Sequence, residues 1–274
     1  LPELPEVETV VRELRPGLLG RRVRAVRVGR LSLRKPWHKS WAKVLTGRLL
    51  LSVQRRGKWI VIEVEGGSFL VVHLGMTGQF TVAPATATRA NHTHLVFVLD
   101  NAAELRFRDV RRFGSATLFP GRSELDASFS AAGLGPEPFD LDRRYWRERL
   151  AATARSLKAV LLDQRVIAGV GNIYADESLF RARLHPGQLA RELDAAAADR
   201  LRRSVAEVLT RAIQRRGSSI RDYVGASGER GEYQNEFLVY GRTGKPCPRC
   251  KQPIVRVRLA GRSTHFCPRC QSKG

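Results

Sequence analysis

No cysteine occurs before residue 247, methionine occurs once, and 26 acidic residues face 48 lysines and arginines in the 274-residue chain. The missing cysteines exclude a disulfide-stapled fold over most of the molecule. Long apolar runs are missing too: nothing approaches the roughly 18 to 20 residues that cross a bilayer. The start of the chain is too charged for a secretory signal, so a soluble, intracellular protein is expected. The shortage of acid leaves a net charge of +22 and an isoelectric point near 11.1. Such a field draws in polyanions, phosphate backbones foremost. It fits a nucleic-acid enzyme, a ribosomal protein or a membrane-surface protein alike, so charge selects the partner class and leaves the chemistry open. Arginine outnumbers lysine, which suits bidentate phosphate contacts and equally follows from a GC-rich genome. At 43 % hydrophobic the chain can bury a core, and its length allows two ordinary domains or one large one.

The four cysteines stand as Cys247-Pro-Arg-Cys250 and Cys267-Pro-Arg-Cys270, with sixteen residues between the pairs. Two such pairs match a tetrahedral zinc site. A pair of disulfides is the alternative, although a large basic protein without other cysteines does not need staples.

Apolar spacing predicts a helix over residues 3–18, through Val7, Val10, Val11, Leu14 and Leu18. Strands follow at 23–28, 49–54, 59–64, 69–74, 94–99, 104–108 and 115–119, with a short helix at 37–45 among them. Residues 120–140 are rich in Gly, Pro and Ser and read as a linker. Helices are then expected at 141–152, 155–164, 173–182 and 190–216, the last stopped by Gly217. Residues 217–236 carry four glycines and little periodicity, as functional or mobile loops do. From about 238 a small hairpin module is expected, with strands 254–259 and 263–266 turned at Ala260-Gly261.

Several residues are candidates for chemistry, each with a plainer alternative. Proline is the one residue whose nitrogen, at a chain terminus, is a secondary amine able to attack an aldehyde-like carbon. Pro2 can serve so only if Leu1 is absent. Leu1 is read as the literal translation of an alternative start codon, whose initiator methionine is removed ahead of a small residue. Alternatively Pro2 and Pro5 punctuate a helix start. Lys58 lies between two strands, either a presented amine or a solvated basic turn. Met76, in a glycine-flanked turn, is either a projecting wedge or core filling. Asn172 follows Gly169-Val-Gly171, a turn that exposes donors to a phosphate or simply separates two helices.

Taken together, Pro2-Glu-Leu-Pro-Glu-Val-Glu-Thr9, Gln54-Arg-Arg-Gly-Lys58, His73-Leu-Gly-Met-Thr77, Asp109-Val-Arg-Arg-Phe-Gly114, Gly169-Val-Gly-Asn-Ile-Tyr-Ala175, Val239-Tyr-Gly-Arg242 and the four-cysteine finger resemble the bacterial formamidopyrimidine-DNA glycosylases, relatives of endonuclease VIII. The resemblance spans essentially the whole chain. It implies an α+β multidomain protein: a two-layer β-sandwich with flanking helices over 1–125, a linker over 126–140, a helix–two-turn–helix domain over 141–237 with a lid loop at 217–236, and a β-hairpin zinc finger over 238–274. It implies excision of oxidised purines from duplex DNA, then strand cleavage by β,δ-elimination through an iminium on Pro2. Catalytic roles fall on Pro2, Glu3, Lys58 and Arg262. DNA contacts fall on His92, Arg111, Asn172, Met76, Phe113 and Lys158, with Met76, Arg111 and Phe113 filling the space left by a flipped nucleotide. Glu6 is either a supporting carboxylate or helix N-terminal charge compensation. Ser218, Ser219, Arg221 and Tyr223 are candidate lid contacts. Val110 stands where the family commonly has proline, which puts the aim of the Arg111–Phe113 turn in question.

One structural zinc is expected, held by Cys247, Cys250, Cys267 and Cys270, with no redox or organic cofactor. Damaged double-stranded DNA is the expected partner, with no membrane, a monomeric state and a bacterial cytoplasmic, nucleoid-associated location. Rival readings are an endonuclease VIII-type enzyme acting on oxidised pyrimidines and a non-catalytic DNA-binding protein that keeps Leu1. A basic ribosomal-type zinc protein is a third, explaining charge and finger but not the N-terminus.

Overall fold

In a computed structural model, residues 2–219, 225–226 and 229–273 are described. The chain forms two compact units, one of Leu1–Ala131 with Arg215–Glu232, the other of Ala132–Gln214 with Tyr233–Gly274. The described residues of 215–232, within the segment expected to be a lid, group with the N-terminal unit, and the finger groups with the helices.

The first unit opens with helix α1 (Leu4–Leu18), whose Val7, Val10, Val11, Leu14 and Leu18 are buried on one face. Eight strands follow: β1 (Val23–Val28), β2 (Leu50–Arg56), β3 (Trp59–Val64), β4 (Ser68–His73), β5 (Gly78–Pro84), β6 (Thr93–Leu99), β7 (Ala103–Asp109) and β8 (Ser115–Phe119), with α2 (Lys39–Leu45) after β1. They make two antiparallel four-stranded sheets, ordered β1-β6-β7-β5 and β2-β3-β4-β8. One cluster holds Phe80, Phe97 and Phe107 from the first sheet, Ile60, Ile62 and Val72 from the second, and the apolar face of α1. This is the core of a β-sandwich with a helix against it.

Two elements depart from the sequence expectation. β5 is a strand that was not expected, because Gly78 and Pro84 bracket only two core-facing side chains, Phe80 and Val82. As an edge strand it tolerates that proline. Helix α3 (Arg122–Ala131) occupies the first half of the expected linker. It caps the outer face of the second sheet, where Leu125 and Phe129 meet Val61, Phe69 and Val71. That outer contact explains why β3 and β4 read as continuous apolar runs rather than alternating ones.

The second unit contains α4 (Arg143–Ala151), α5 (Leu157–Leu162), α6 (Asn172–Ala182), α7 (Ala195–Gln214) and the hairpin β9 (Val255–Leu259) and β10 (Arg262–Phe266). Asp142 and Ser156 cap α4 and α5 through their side-chain oxygens. The long helix starts five residues later than its periodicity suggested. Asp194 accepts the Ala197 N–H at 2.6 Å and caps it there, leaving Ala190–Glu192 as a single 3-10 turn. Helix α6 is buried on nearly every side, as expected of a central helix. No helix among the described residues is long and apolar enough to cross a membrane.

Candidate active site

The start of α1 is organised by carboxylates. Pro2 is buried, and Glu3 is the N-cap of the helix, 3 % exposed. The Glu3 N–H donates to Glu6 Oε2 at 2.8 Å, and the Glu3 carboxylate takes the Glu6 N–H in return, completing a capping box. Glu6 thus performs the helix-end role, where negative charge is favoured. It also does more. Its Oε1 accepts the Ser218 N–H at 2.7 Å and the Ser218 hydroxyl at 3.1 Å. Gly217 has φ +73°, and a Cβ there would lie 2.7 Å from Glu6 Oε1. The glycine is needed for both reasons. Farther along the same segment the Gly231 N–H donates to Ser219 Oγ at 2.9 Å. Leu1, Arg221 and Tyr223 lie outside the described residues.

Lys58 sits in the two-residue turn between β2 and β3, preceded by Gly57 with φ +56°. Glycine at the first central position suits the tight hairpin turns that follow strand twist. Beside this turn His73 ends β4, its ring 4.6 Å from that of Trp59 and its Nδ1 accepting the Gly75 N–H at 3.0 Å. Burial, then the charges of Lys58 and Arg34, push the His73 pKa down to about 4, so it is neutral at physiological pH. His73 was visible in its motif, but no role was assigned to it from sequence.

Met76 stands in the β4–β5 turn and is half-buried. Arg111 and Phe113 stand in the β7–β8 loop, the guanidinium 4.6 Å over the ring and Phe113 46 % exposed. Val110 is exposed as well, and the loop is closed without a proline by the Asp109 carboxylate. Asp109 is fully buried and accepts the Gly114 N–H at 2.7 Å, the Arg111 N–H at 3.3 Å and the Thr77 hydroxyl at 2.5 Å. His92, with φ +65°, is exposed in the turn before β6, and its carbonyl accepts the Asp109 N–H at 3.0 Å.

In the second unit Asn172 begins α6 and donates from Nδ2 to the Ser263 carbonyl at 2.9 Å, which brings the glycine turn and the hairpin together. Arg262 is exposed at the start of β10, after Ala260 and Gly261 with φ +49° and +71°. Two positive φ values are the mark of a tight type I′ hairpin. Lys158, expected to contact DNA, is enclosed by its own unit. It is 0 % exposed, its ammonium 2.5 Å from Asp176 Oδ1 and 2.9 Å from the Asn172 carbonyl. The other Asp176 oxygen accepts the His265 N–H at 2.9 Å and lies 3.1 Å from its Nδ1. Glu177, next in sequence, collects the N–H groups of Leu238, Val239 and Tyr240. Sequence reasoning missed both acids. Their signal was two adjacent carboxylates in a helix with no polar face.

The cysteine ligand atoms all lie within 4.8 Å of one another, with Sγ separations of 3.9 Å for Cys247–Cys270 and 3.4 Å for Cys250–Cys267. Disulfide sulfurs would be about 2.05 Å apart. Four thiolates about 2.3 Å from a tetrahedral ion would be about 3.8 Å apart. The residues fit a structural zinc, and its chemistry would be purely architectural, since four thiolates leave no open position.

Three family models match in chain order: the formamidopyrimidine-DNA glycosylase N-terminal domain over residues 1–116, the formamidopyrimidine-DNA glycosylase H2TH domain over 134–224, and the zinc finger found in FPG and IleRS over 244–273. Curated relatives include the formamidopyrimidine-DNA glycosylase of Desulforamulus reducens, 41 % identical over 99 % of both chains. That of Cereibacter sphaeroides is 43 % identical over 99 % of this chain and 100 % of its own. Among solved structures, a Lactococcus lactis Fpg in complex with abasic-site DNA is 37 % identical, with a TM-score of 0.91 over 99 % of this chain and 100 % of that one. A complex of the Lactococcus lactis protein with Fapy-dG-containing DNA gives 36 % and 0.91, again over 99 % and 100 %. With the sandwich, the Pro2-Glu3 pair ahead of α1, the glycine turn and the four-cysteine hairpin all in one order, the chain belongs to the formamidopyrimidine-DNA glycosylase family.

Proposed function

We propose that the protein excises oxidised purines, 8-oxoguanine and formamidopyrimidines, from duplex DNA in base excision repair and cleaves the strand at the resulting site. The observation that carries this reading is a buried Pro2-Glu3 pair held at the start of α1 by the Glu6 cap, in a chain matched over 99 % of its length by relatives named formamidopyrimidine-DNA glycosylase. The target atom, the sugar C1′, is inaccessible in a stacked duplex, so the nucleotide must leave the stack at a cost of a few kcal/mol. The Pro2 amine then forms a bond to C1′ as the bond from C1′ to the base breaks, the base leaving with that electron pair and a proton. Sugar ring opening gives an iminium, whose charge acidifies the C2′ proton. Successive β and δ eliminations release both phosphates. This is covalent catalysis that divides one hard step.

Attack requires the unprotonated amine, and burial at a positive helix end disfavours the ammonium. Glu3, adjacent to Pro2, carries protons to and from the reacting atoms. Lys58 and Arg262 act on phosphates and elimination, and Asn172 and His92 contact the backbone. Met76, Arg111 and Phe113 occupy the space of the extruded nucleotide, Arg111 taking the place of the lost pairing partner. Cys247, Cys250, Cys267 and Cys270 hold the zinc that shapes the Arg262 hairpin. The protein works as a cytoplasmic monomer on duplex DNA, without a redox or organic cofactor.

Borohydride reduction during turnover on an 8-oxoguanine:C duplex should trap a covalent adduct through residue 2, and intact mass should show that residue as the terminus. Absence of an adduct from protein with Pro2 at its terminus sinks the mechanism. Faster trapping on thymine glycol than on 8-oxoguanine would instead favour an endonuclease VIII-type specificity.

A further inference from the structure

The turn that carries Met76 and the loop that carries Arg111 and Phe113 are separate in sequence but meet at one buried carboxylate. Asp109 Oδ1 accepts the Thr77 hydroxyl at 2.5 Å, and Thr77 Oγ1 in turn accepts the Arg111 N–H at 3.1 Å. Asp109 Oδ2 accepts the Gly114 N–H at 2.7 Å, directly after Phe113. Behind these bonds the two backbones touch. A Cβ on Gly75 would lie 2.5 Å from both the Gly114 nitrogen and the Phe113 carbonyl carbon, at a residue whose φ is +63°. Every residue expected to enter the duplex thus has a neighbour in this knot: Met76 lies between Gly75 and Thr77, Arg111 is bound through its own N–H, and Phe113 precedes Gly114.

We infer that Asp109, bridged by Thr77, is a positioning residue that makes the Met76 turn and the Arg111–Phe113 loop one block, so that the wedge and the arginine facing the orphaned base engage DNA together. Neither residue touches the reacting atoms. A buried acceptor satisfied by three donors is stiff, because releasing any one leaves a buried group unpaired. Three side chains on independently mobile loops would each lose their own freedom on insertion, whereas a preassembled block has lost it on folding. The bridge also supplies the rigidity that proline at position 110 would bring, which this chain lacks. The inference rests on the reading of Met76, Arg111 and Phe113 as the residues that fill the vacated space.

Thr77→Val keeps the shape of the side chain and removes only the bridge, and Asp109→Asn weakens all three bonds. The measurement is single-turnover excision of 8-oxoguanine opposite C and opposite A, beside borohydride trapping on a single-stranded oligonucleotide with a preformed abasic site. The single-stranded substrate needs neither flipping nor an opposite base. Thr77→Val should slow duplex excision about fivefold to tenfold, the equivalent of one buried hydrogen bond. It should also shrink the C-over-A preference and leave single-stranded trapping unchanged. Combined with Arg111→Ala it should cost little beyond Arg111→Ala alone. Full additivity of the two, or an unchanged preference in both Thr77→Val and Asp109→Asn, overturns the inference. An equal loss on both substrates does so too, because it marks a general structural role. If the unaltered protein traps no DNA, the proposed function itself has failed. If it traps but Arg111→Ala is silent, the block has nothing to aim and this inference falls alone.

Discussion

Glu6 and Ser218, 212 positions apart, are joined by two hydrogen bonds to a single carboxylate oxygen, at 2.7 Å from the Ser218 N–H and 3.1 Å from its hydroxyl. The other oxygen of that carboxylate holds the Glu3 N–H. One buried acid therefore sets both the backbone that presents Pro2 and the first turn of the 217–232 segment. An ion pair between Glu13 and Arg216 reinforces the same junction.

Substitution of Gly217 tests the junction directly. Gly217→Ala forces a side chain onto a left-handed residue and against Glu6, so it should lower stability by about 1–2 kcal/mol and slow trapping. Glu6→Gln, which replaces one acceptor oxygen with an amide, should slow trapping more than it lowers the urea midpoint. Equal trapping rates in the parent and both variants would show that the junction does not govern the site.

His73 supplies a pH signature. Its folded pKa of about 4 lies below the usual histidine value of 6.5, so the folded state binds fewer protons than the unfolded one. The stability tied to the neutral ring is fully present above pH 6.5 and drains away as pH falls towards 4. Urea unfolding at pH 7 and pH 5 should show the parent losing about 1–2 kcal/mol more than His73→Gln, allowing for the partial exposure of the ring. Parallel pH profiles for the two proteins would contradict this.

Lys158 is expected to behave as an internal strut. Lys158→Met leaves Asp176 buried without its ammonium and should cost about 3–5 kcal/mol, while adding Asp176→Leu should restore much of that loss. Arg262→Ala should reduce the slope of log binding constant against log salt by about 1, and the Lys158/Asp176 double variant should leave it unchanged. A reduced slope in the double variant would return Lys158 to the DNA surface.

Zinc content is checked by intact mass under native conditions, with one ion per chain expected. Cys267→Ser should lose it, expose the hairpin to proteolysis and weaken binding to abasic-site duplex by at least about tenfold, since metal binding and folding of such a finger are coupled. The strand signal of the N-terminal unit should persist. A zinc-free protein that keeps full affinity would contradict an architectural role for the finger.

Local pattern made much of this legible. The α1 face, the hairpin at Lys58 and the Ala260-Gly261 turn were readable because each is decided by neighbours a few residues away: apolar spacing, a glycine with positive φ, a two-residue loop. β5 and α3 were not, because each is stabilised by a distant surface, β5 by its ladder to β7 and α3 by the outer face of β3 and β4. The burial of Lys158 was hidden for a related reason. A lysine in a basic chain reads as a phosphate ligand, and its burial is made tolerable by Asp176, eighteen positions on, and the Asn172 carbonyl.

The order of motifs along the chain was therefore enough to reach the family and to propose its parts: a candidate amine nucleophile, a basic hairpin, a candidate opposite-base arginine and four thiolates of the right spacing. Covalent sequence carries those identities, since reactivity belongs to residue type. Position and protonation belong to folding. Packing buries Glu6 where it can hold Glu3 and Ser218 at once, removes Lys158 from solvent, holds His73 neutral and ties Thr77 to Asp109. Each of those outcomes depends on groups far apart in the chain, whose encounter carries no local signature.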